Sequence, residues 1–182
     1  MSSNAALLII DVQQGFDDPC WGQRNNIGAE NNIGQLLHHW RAHSRSIIHI
    51  QHSSTEKGSP LERGQPGFEY KEIAQPTSDE PCFCKSTNSA FVGTGLKDYL
   101  KRQKIESLVI AGLTTDHCVS TTVRVAANNG LNVILAEDAT ATFGRTDHNG
   151  IYYSAQTIHA VNVASLQGEF CRVSTTAELL LV

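Results

Sequence analysis

The sequence predicts a single parallel-sheet α/β domain with helices on both faces. Three observations lead there. Short apolar runs of strand type alternate with stretches of helical period along the whole chain. Several of those runs end on a residue able to carry chemistry, and open parallel sheets bind ligands beyond their C-terminal strand ends. The 182 residues suffice to bury one sizeable core, so residues 1–182 read as one domain, with no internal repeat or linker.

The first strand is Ala5 to Ile10, and it ends in Asp11. An acid at the end of a core strand is costly unless it is paired or working. Asp17-Asp18-Pro19 is a turn. Ile33, Leu36, Leu37 and Trp40 recur at helical spacing, which predicts a helix over about 28–43. Ser46 to Gln51 is the second strand. His52 to Tyr70 has no periodicity and is rich in Gly, Pro, Ser and charge. A loop of that length is a candidate pocket wall or subunit contact.

Pro81 to Lys85 reads as a short, buried third strand, with Phe83 and Lys85 on one face and Cys82 and Cys84 on the other. Thr94 is a candidate cap for a helix carrying Leu96, Tyr99 and Leu100. Leu108 to Ala111 is the fourth strand, broken by Gly112. Thr114, Thr115 and Asp116 are all good helix caps. Helical spacing resumes at Val119, Val123, Ala126 and Ala127, so Cys118 is expected in the first turn of a helix. Leu131 to Ala136 is a fifth strand ending in Glu137-Asp138. Thr146 precedes a predicted helix with Ile151, Ala155, Ile158 and Val161 on one face. Glu169 to Val173 is the last strand, and Thr175 or Thr176 caps a final helical turn.

Composition excludes several classes. The chain is 40% apolar and 18% charged with a net charge of −4, which gives no basic face for nucleic acid and no attraction to a membrane surface. Met1-Ser-Ser-Asn-Ala5 lacks the charged and apolar segments of a leader, and Leu7 to Ile10 is too short to span a bilayer. Five cysteines without a CxxC pair predict a reduced cytoplasmic protein and no zinc-ribbon site. His38 and His39 are adjacent on a helix, about 100° apart, and share no ligand face.

Asp11, Lys85 and Cys118 each fall at a predicted strand end. An acid, an amine and a helix-start cysteine can together form a nucleophilic site. The lysine and the helix terminus would favour the thiolate, and the acid would carry the proton.

Three segments resemble the isochorismatase-like cysteine hydrolases: Asp11-Val-Gln13-Gln-Gly-Phe16, Lys85-Ser-Thr-Asn-Ser-Ala-Phe91 and Gly112-Leu-Thr-Thr-Asp-His-Cys118-Val119. Their order and strand-end positions extend the resemblance over nearly the whole chain. It implies a six-stranded parallel sheet, with Asp11 as acid and base, Lys85 as charge partner and Cys118 as nucleophile. It also implies a non-proline cis peptide before Thr114, and an oxyanion hole from the backbone N–H groups of Thr114 and Cys118. Nicotinamidase-type members carry an Asp-x-His metal motif after the second strand. Here that stretch reads Gln51-His52-Ser53-Ser54, so no catalytic metal and no cofactor are expected. Members that cleave the vinyl ether of isochorismate commonly lack the cysteine, so Cys118 points to acyl chemistry.

The expectation is therefore hydrolysis of a carbon–nitrogen bond in a small amide, ureido or lactam substrate. Phe16, Trp21, His52, Phe68, Phe91, His117 and Tyr152 are candidate pocket walls, although each suits plain packing equally well. Vinyl ether hydrolysis, a non-catalytic binding protein on the same fold and cysteine redox chemistry are the rivals. Family habit implies a homodimer or homotetramer.

Overall fold

The computed structural model describes residues 5–181. The leader reading of Met1 to Asn4 and the last residue of the expected 1–182 domain lie outside them. A six-stranded parallel sheet forms the centre. Its strands are β1 (Ala6–Ile10), β2 (Ile47–His52), β3 (Cys82–Lys85), β4 (Ser107–Leu113), β5 (Asn132–Ala141) and β8 (Arg172–Ser174), in the order β3-β2-β1-β4-β5-β8. β1 is wholly apolar and wholly buried because helices cover both of its faces. On one side, α1 (Ala29–Ala42) sets Ile33, Leu36, Leu37 and Trp40 against Leu7, Ile9 and Val109, with α5 (Thr176–Leu179) beside it. The Trp40 indole N–H donates to the Ala5 carbonyl at 3.0 Å, which satisfies its one polar atom inside the core. On the other side, α2 (Leu96–Arg102), α3 (Ser120–Asn128) and α4 (Ala155–Leu166) cover Leu8, Ile10, Ile48, Ile50 and Ile110. No helix among the described residues is long and apolar enough to cross a membrane.

At Gly112, β4 packs directly against the backbone of Ile10 in β1. The glycine's φ is +128°, and a Cβ there would lie 2.0 Å from the Ile10 carbonyl oxygen. Both facts bar a side chain. Gly112→Ala is expected to cost about 3 kcal/mol or more, or to abolish folding, because the β1 backbone would have to move. A urea midpoint equal to the parent's would contradict so close an approach.

Several sequence expectations are corrected. β3 is an edge strand, so Cys82 and Cys84 are exposed rather than buried, although their side chains do alternate with Phe83 and Lys85. β5 does not stop before Glu137-Asp138. It absorbs extra residues where its register with β4 slips from Ile110↔Leu135 to Gly112↔Thr140, and it runs on to Ala141. Thr94 does not cap α2. Gly95 holds that position, and the Thr94 hydroxyl accepts from the Leu96 N–H instead. The helix expected after Thr146 is first a hairpin, β6 (Arg145–Thr146) against β7 (Tyr152–Tyr153), and α4 starts only after its cap Ser154. Ile151 and Val161 are exposed, and α4 buries Ala155, His159 and Leu166. The last strand begins at Arg172, not Glu169. Thr175 caps α5 in a reciprocal box with Glu178.

The long loop from His52 to Tyr70 is tied down. Gln13, buried just past β1, donates to the carbonyls of His52 (3.0 Å) and Phe68 (2.8 Å) and accepts from the His52 N–H (2.8 Å). All of the side-chain amide's bonds are to backbone, so it fixes loop position rather than side-chain chemistry.

Candidate active site

Four consecutive strands meet at one end of the sheet, and each contributes a polar side chain there. Asp11 follows β1, His52 closes β2, Lys85 closes β3, and Cys118 sits on the turn after β4. The Lys85 Nζ lies 2.6 Å from Asp11 Oδ2, 3.2 Å from Cys118 Sγ and 3.1 Å from His52 Nδ1. Asp11 is fully buried, Lys85 is 2% exposed and Cys118 is 7% exposed, so all three are buried and Cys118 is the least so.

Backbone geometry aims these groups. Asp11 has φ +51°, a left-handed conformation that few non-glycine residues adopt. Its Oδ1 is buried and has no hydrogen-bond partner among the described residues. Buried acceptors are seldom left open in this way. Cys118 lies in a π turn, Thr115–Val119, that precedes α3 rather than in the first turn of an α-helix. The Thr114 carbonyl accepts from the N–H groups of His117 (3.2 Å) and Val119 (3.1 Å), on either side of Cys118. The Leu113–Thr114 peptide is cis.

The electrostatics correct one expectation. The Cys118 thiol is raised well above its ordinary range, chiefly by burial and then by the Asp11 carboxylate, with Lys85 opposing both. The sulfur therefore rests as a thiol. Burial alone would lower the Lys85 ammonium, but Asp11 and Cys118 more than offset that and raise it. Burial, then the Lys85 charge, lowers His52, which leaves a neutral ring whose Nδ1 accepts from the ammonium. At rest an ammonium on Lys85 thus faces a thiol on Cys118.

Asp11, His52 and Cys118 also bring three metal-ligand atoms within 4.8 Å of one another. The Lys85 Nζ contacts all three residues. A protein-borne cation thus already occupies the place that such a donor set offers to a metal.

The other sequence candidates divide by position. Phe16 and Trp21 stack with Phe143, with ring centroids 5.4–6.2 Å apart, and this group packs on Leu113 beside the nucleophile turn. Phe91 packs against the core cluster that includes Cys118. Phe68 is buried, with the Arg63 guanidinium 5.1 Å over its ring. His117 and Tyr152 are surface residues, and the His117 ring turns toward Asp116 at 3.4 Å.

Sequence reasoning missed three residues near the site. Asn88 Oδ1 lies 3.8 Å from Cys118 Sγ, and it stands inside the Lys85-to-Phe91 segment. Gln13 stands inside the Asp11-to-Phe16 segment. Asp116 binds the Thr142 hydroxyl and the Arg145 Nε (2.8 Å). Burial works to raise Asp116, but those two bonds prevail and hold its carboxyl below the usual range. Asp116 thereby pins the nucleophile turn to the end of β5.

Comparison with known proteins gives a consistent picture. A family model for the isochorismatase domain matches residues 5–177. The isochorismatase-family protein YrdC of Bacillus subtilis (strain 168) is 46% identical over 180 residues, covering 99% of this chain and 96% of YrdC. A streptothricin hydrolase of Streptomyces noursei is 29% identical over 76% of this chain and 54% of its own length. Nicotinamidase 3 of Arabidopsis thaliana is 29% identical over 81% of this chain and 78% of its own. Among solved structures, an isochorismatase-family protein from Chromobacterium violaceum ATCC 12472 superposes with a TM-score of 0.96 at 45% identity, covering 100% of this chain and 94% of that one.

Proposed function

The chain belongs to the isochorismatase family, and on that premise we propose that it is a cysteine hydrolase cleaving a carbon–nitrogen bond in a small amide, ureido or lactam compound. The observation that carries this reading is one ammonium shared between a buried carboxylate and a buried thiol, with the second carboxylate oxygen open. Relatives whose names denote a nicotinamidase and a streptothricin hydrolase support it.

The proposed reaction starts with transfer of the Cys118 proton to Asp11 as the sulfur attacks the substrate carbonyl. Lys85 stays protonated and offsets the thiolate charge. The negative charge then moves to the carbonyl oxygen, where the N–H groups of Thr114 and Cys118 receive it. Such a donor contributes about 3 kcal/mol of transition-state stabilisation where its removal has been measured. Asp11 gives its proton to the leaving nitrogen, the carbon–nitrogen bond breaks, and a thioester remains on Cys118. Water, losing a proton to Asp11, attacks the thioester. The proton returns to sulfur as the acid leaves. Phe16, Trp21, His52, Phe68 and Phe91 are the proposed pocket walls.

The direct test is a panel of small amides, ureido compounds, lactams and isochorismate offered to purified protein. Release of amine or ammonia that is lost in Cys118→Ala supports the reading. Turnover of isochorismate alone, surviving Cys118→Ala, contradicts it, because a vinyl ether is cleaved by protonation of carbon and has no use for a thiolate.

The Lys85 ammonium at the centre of the Asp11, His52 and Cys118 donors leads to a second expectation. Dialysis against a chelator should leave turnover unchanged, as measured on the best substrate of the panel. Loss of turnover with recovery on added zinc would overturn the metal-free mechanism. The working assembly we propose is a homodimer or homotetramer in a reducing cytoplasm, which light scattering of the purified protein checks for size.

A further inference from the structure

One buried titratable group stands outside the proposed chemistry yet touches the turn that carries the nucleophile. His159, on α4, is 3% exposed. Its Nδ1 lies 3.0 Å from the hydroxyl oxygen of Thr115, a fully buried residue at the start of the π turn. Its Nε2 lies 3.4 Å from Glu137 Oε2, on the stretch of β5 where the register slips. We propose that His159 is a positioning residue. It holds the π turn through Thr115, so that the Thr114 and Cys118 N–H groups keep the aim that an oxyanion needs. The proposal rests on the hydrolase reading above.

The polarity of the relay follows from its ends. The Glu137 carboxylate only accepts, so Nε2 carries a hydrogen toward it. Nδ1 and the Thr115 hydroxyl share the other hydrogen bond of the ring. That bond fixes the side chain of the residue next to Thr114 and three before Cys118. The far side of the turn is already held by Asp116 through Thr142 and Arg145. The π turn is therefore gripped from both flanks, by α4 on one and by the end of β5 on the other. Without the Thr115 bond, the turn loses its side-chain hydrogen bond to α4. Small errors in donor placement weaken oxyanion stabilisation far more than they alter the reactivity of the sulfur itself.

That difference sets the experiment. Two probes report on the same sulfur. Acylation by p-nitrophenyl acetate passes through a tetrahedral oxyanion, and alkylation by iodoacetamide does not. Asparagine places a polar atom where histidine has Nδ1, and glutamine places one where it has Nε2. Thr115→Val and His159→Gln should slow the p-nitrophenolate burst roughly 10-fold, within the range for loss of aim at oxyanion donors. Iodoacetamide alkylation of Cys118 at the same pH should change less than about twofold, since no oxyanion forms there. Thr115→Ser and His159→Asn should stay within about threefold of the parent burst, since they keep the bond. The double variant Thr115→Val/His159→Gln should be no slower than the slower single one, as for two residues acting through one bond. Parent-like bursts in Thr115→Val and His159→Gln overturn the proposal. So do equal losses with both probes, or losses that multiply in the double variant. A parent protein with no Cys118-dependent burst overturns the hydrolase reading itself, and with it this one.

Discussion

Cys118→Ala is expected to keep the fold and to lose turnover of the amide substrate by on the order of 1,000-fold or more. The fold should survive because the sulfur is a minor packing element. Its polar contacts are Lys85 at 3.2 Å and Asn88 at 3.8 Å, and Lys85 keeps the shorter bond to Asp11 at 2.6 Å. Alanine leaves the buried ion pair intact and adds no unpaired charge. Turnover should fall because no other described group can form the thioester. Cys20, Cys82 and Cys84 are exposed, the Cys84 sulfur lies 3.1 Å from the Arg63 guanidinium, and Cys171 is buried with its thiol pushed up to about 11. A circular dichroism spectrum like the parent's, combined with loss of turnover, is the expected pair of results. Parent-level turnover would end the nucleophilic account.

The second large effect separates two measurements that usually move together. In Asp11→Asn, turnover should fall about 100-fold or more, because every proton transfer of the proposed reaction passes through Asp11. The same change should make Cys118 easier to alkylate at low pH. The sign follows from the charges. Burial and the Asp11 carboxylate raise the thiol, and Lys85 lowers it. Removing the carboxylate charge leaves Lys85 less opposed, so the thiol pKa falls and the iodoacetamide profile shifts to lower pH. Asparagine is isosteric and still accepts from the Lys85 ammonium, so the variant should fold. A profile that moved to higher pH, or turnover equal to the parent's, would remove Asp11 from its role as proton carrier.

The sequence carried the site further than it carried its electrostatics. Asp11, Lys85 and Cys118 are legible because each follows a short apolar run, and strand ends on one side of a parallel sheet must converge. The resting protonation of Cys118 is not legible. A local reading sees a helix start and a nearby cation and expects a lowered thiol. The structure adds burial and a carboxylate brought from 107 residues away in sequence, and those two prevail. The edge position of β3 is hidden for a similar reason: alternation within Cys82–Lys85 tells which faces the side chains take, but not which strand lies outermost. The hairpin between β6 and β7 is a different kind of miss. Ile151, Ala155, Ile158 and Val161 do match a helical period, yet Asn149-Gly150 is a turn signal. Asp147 Oδ1 accepts from the N–H groups of Asn149 (2.8 Å) and Ile151 (2.9 Å), which closes that turn. His159 was hidden because its partners, Thr115 and Glu137, lie on two other elements.

The most direct test of the central claim is intact-protein mass spectrometry on enzyme mixed with a turned-over amide and quenched in acid. The account requires a mass gain equal to the acyl part of the substrate, mapping to the peptide that contains Cys118 and absent in Cys118→Ala. Rapid turnover with no adduct, or an adduct on any of the other four cysteines, would contradict it.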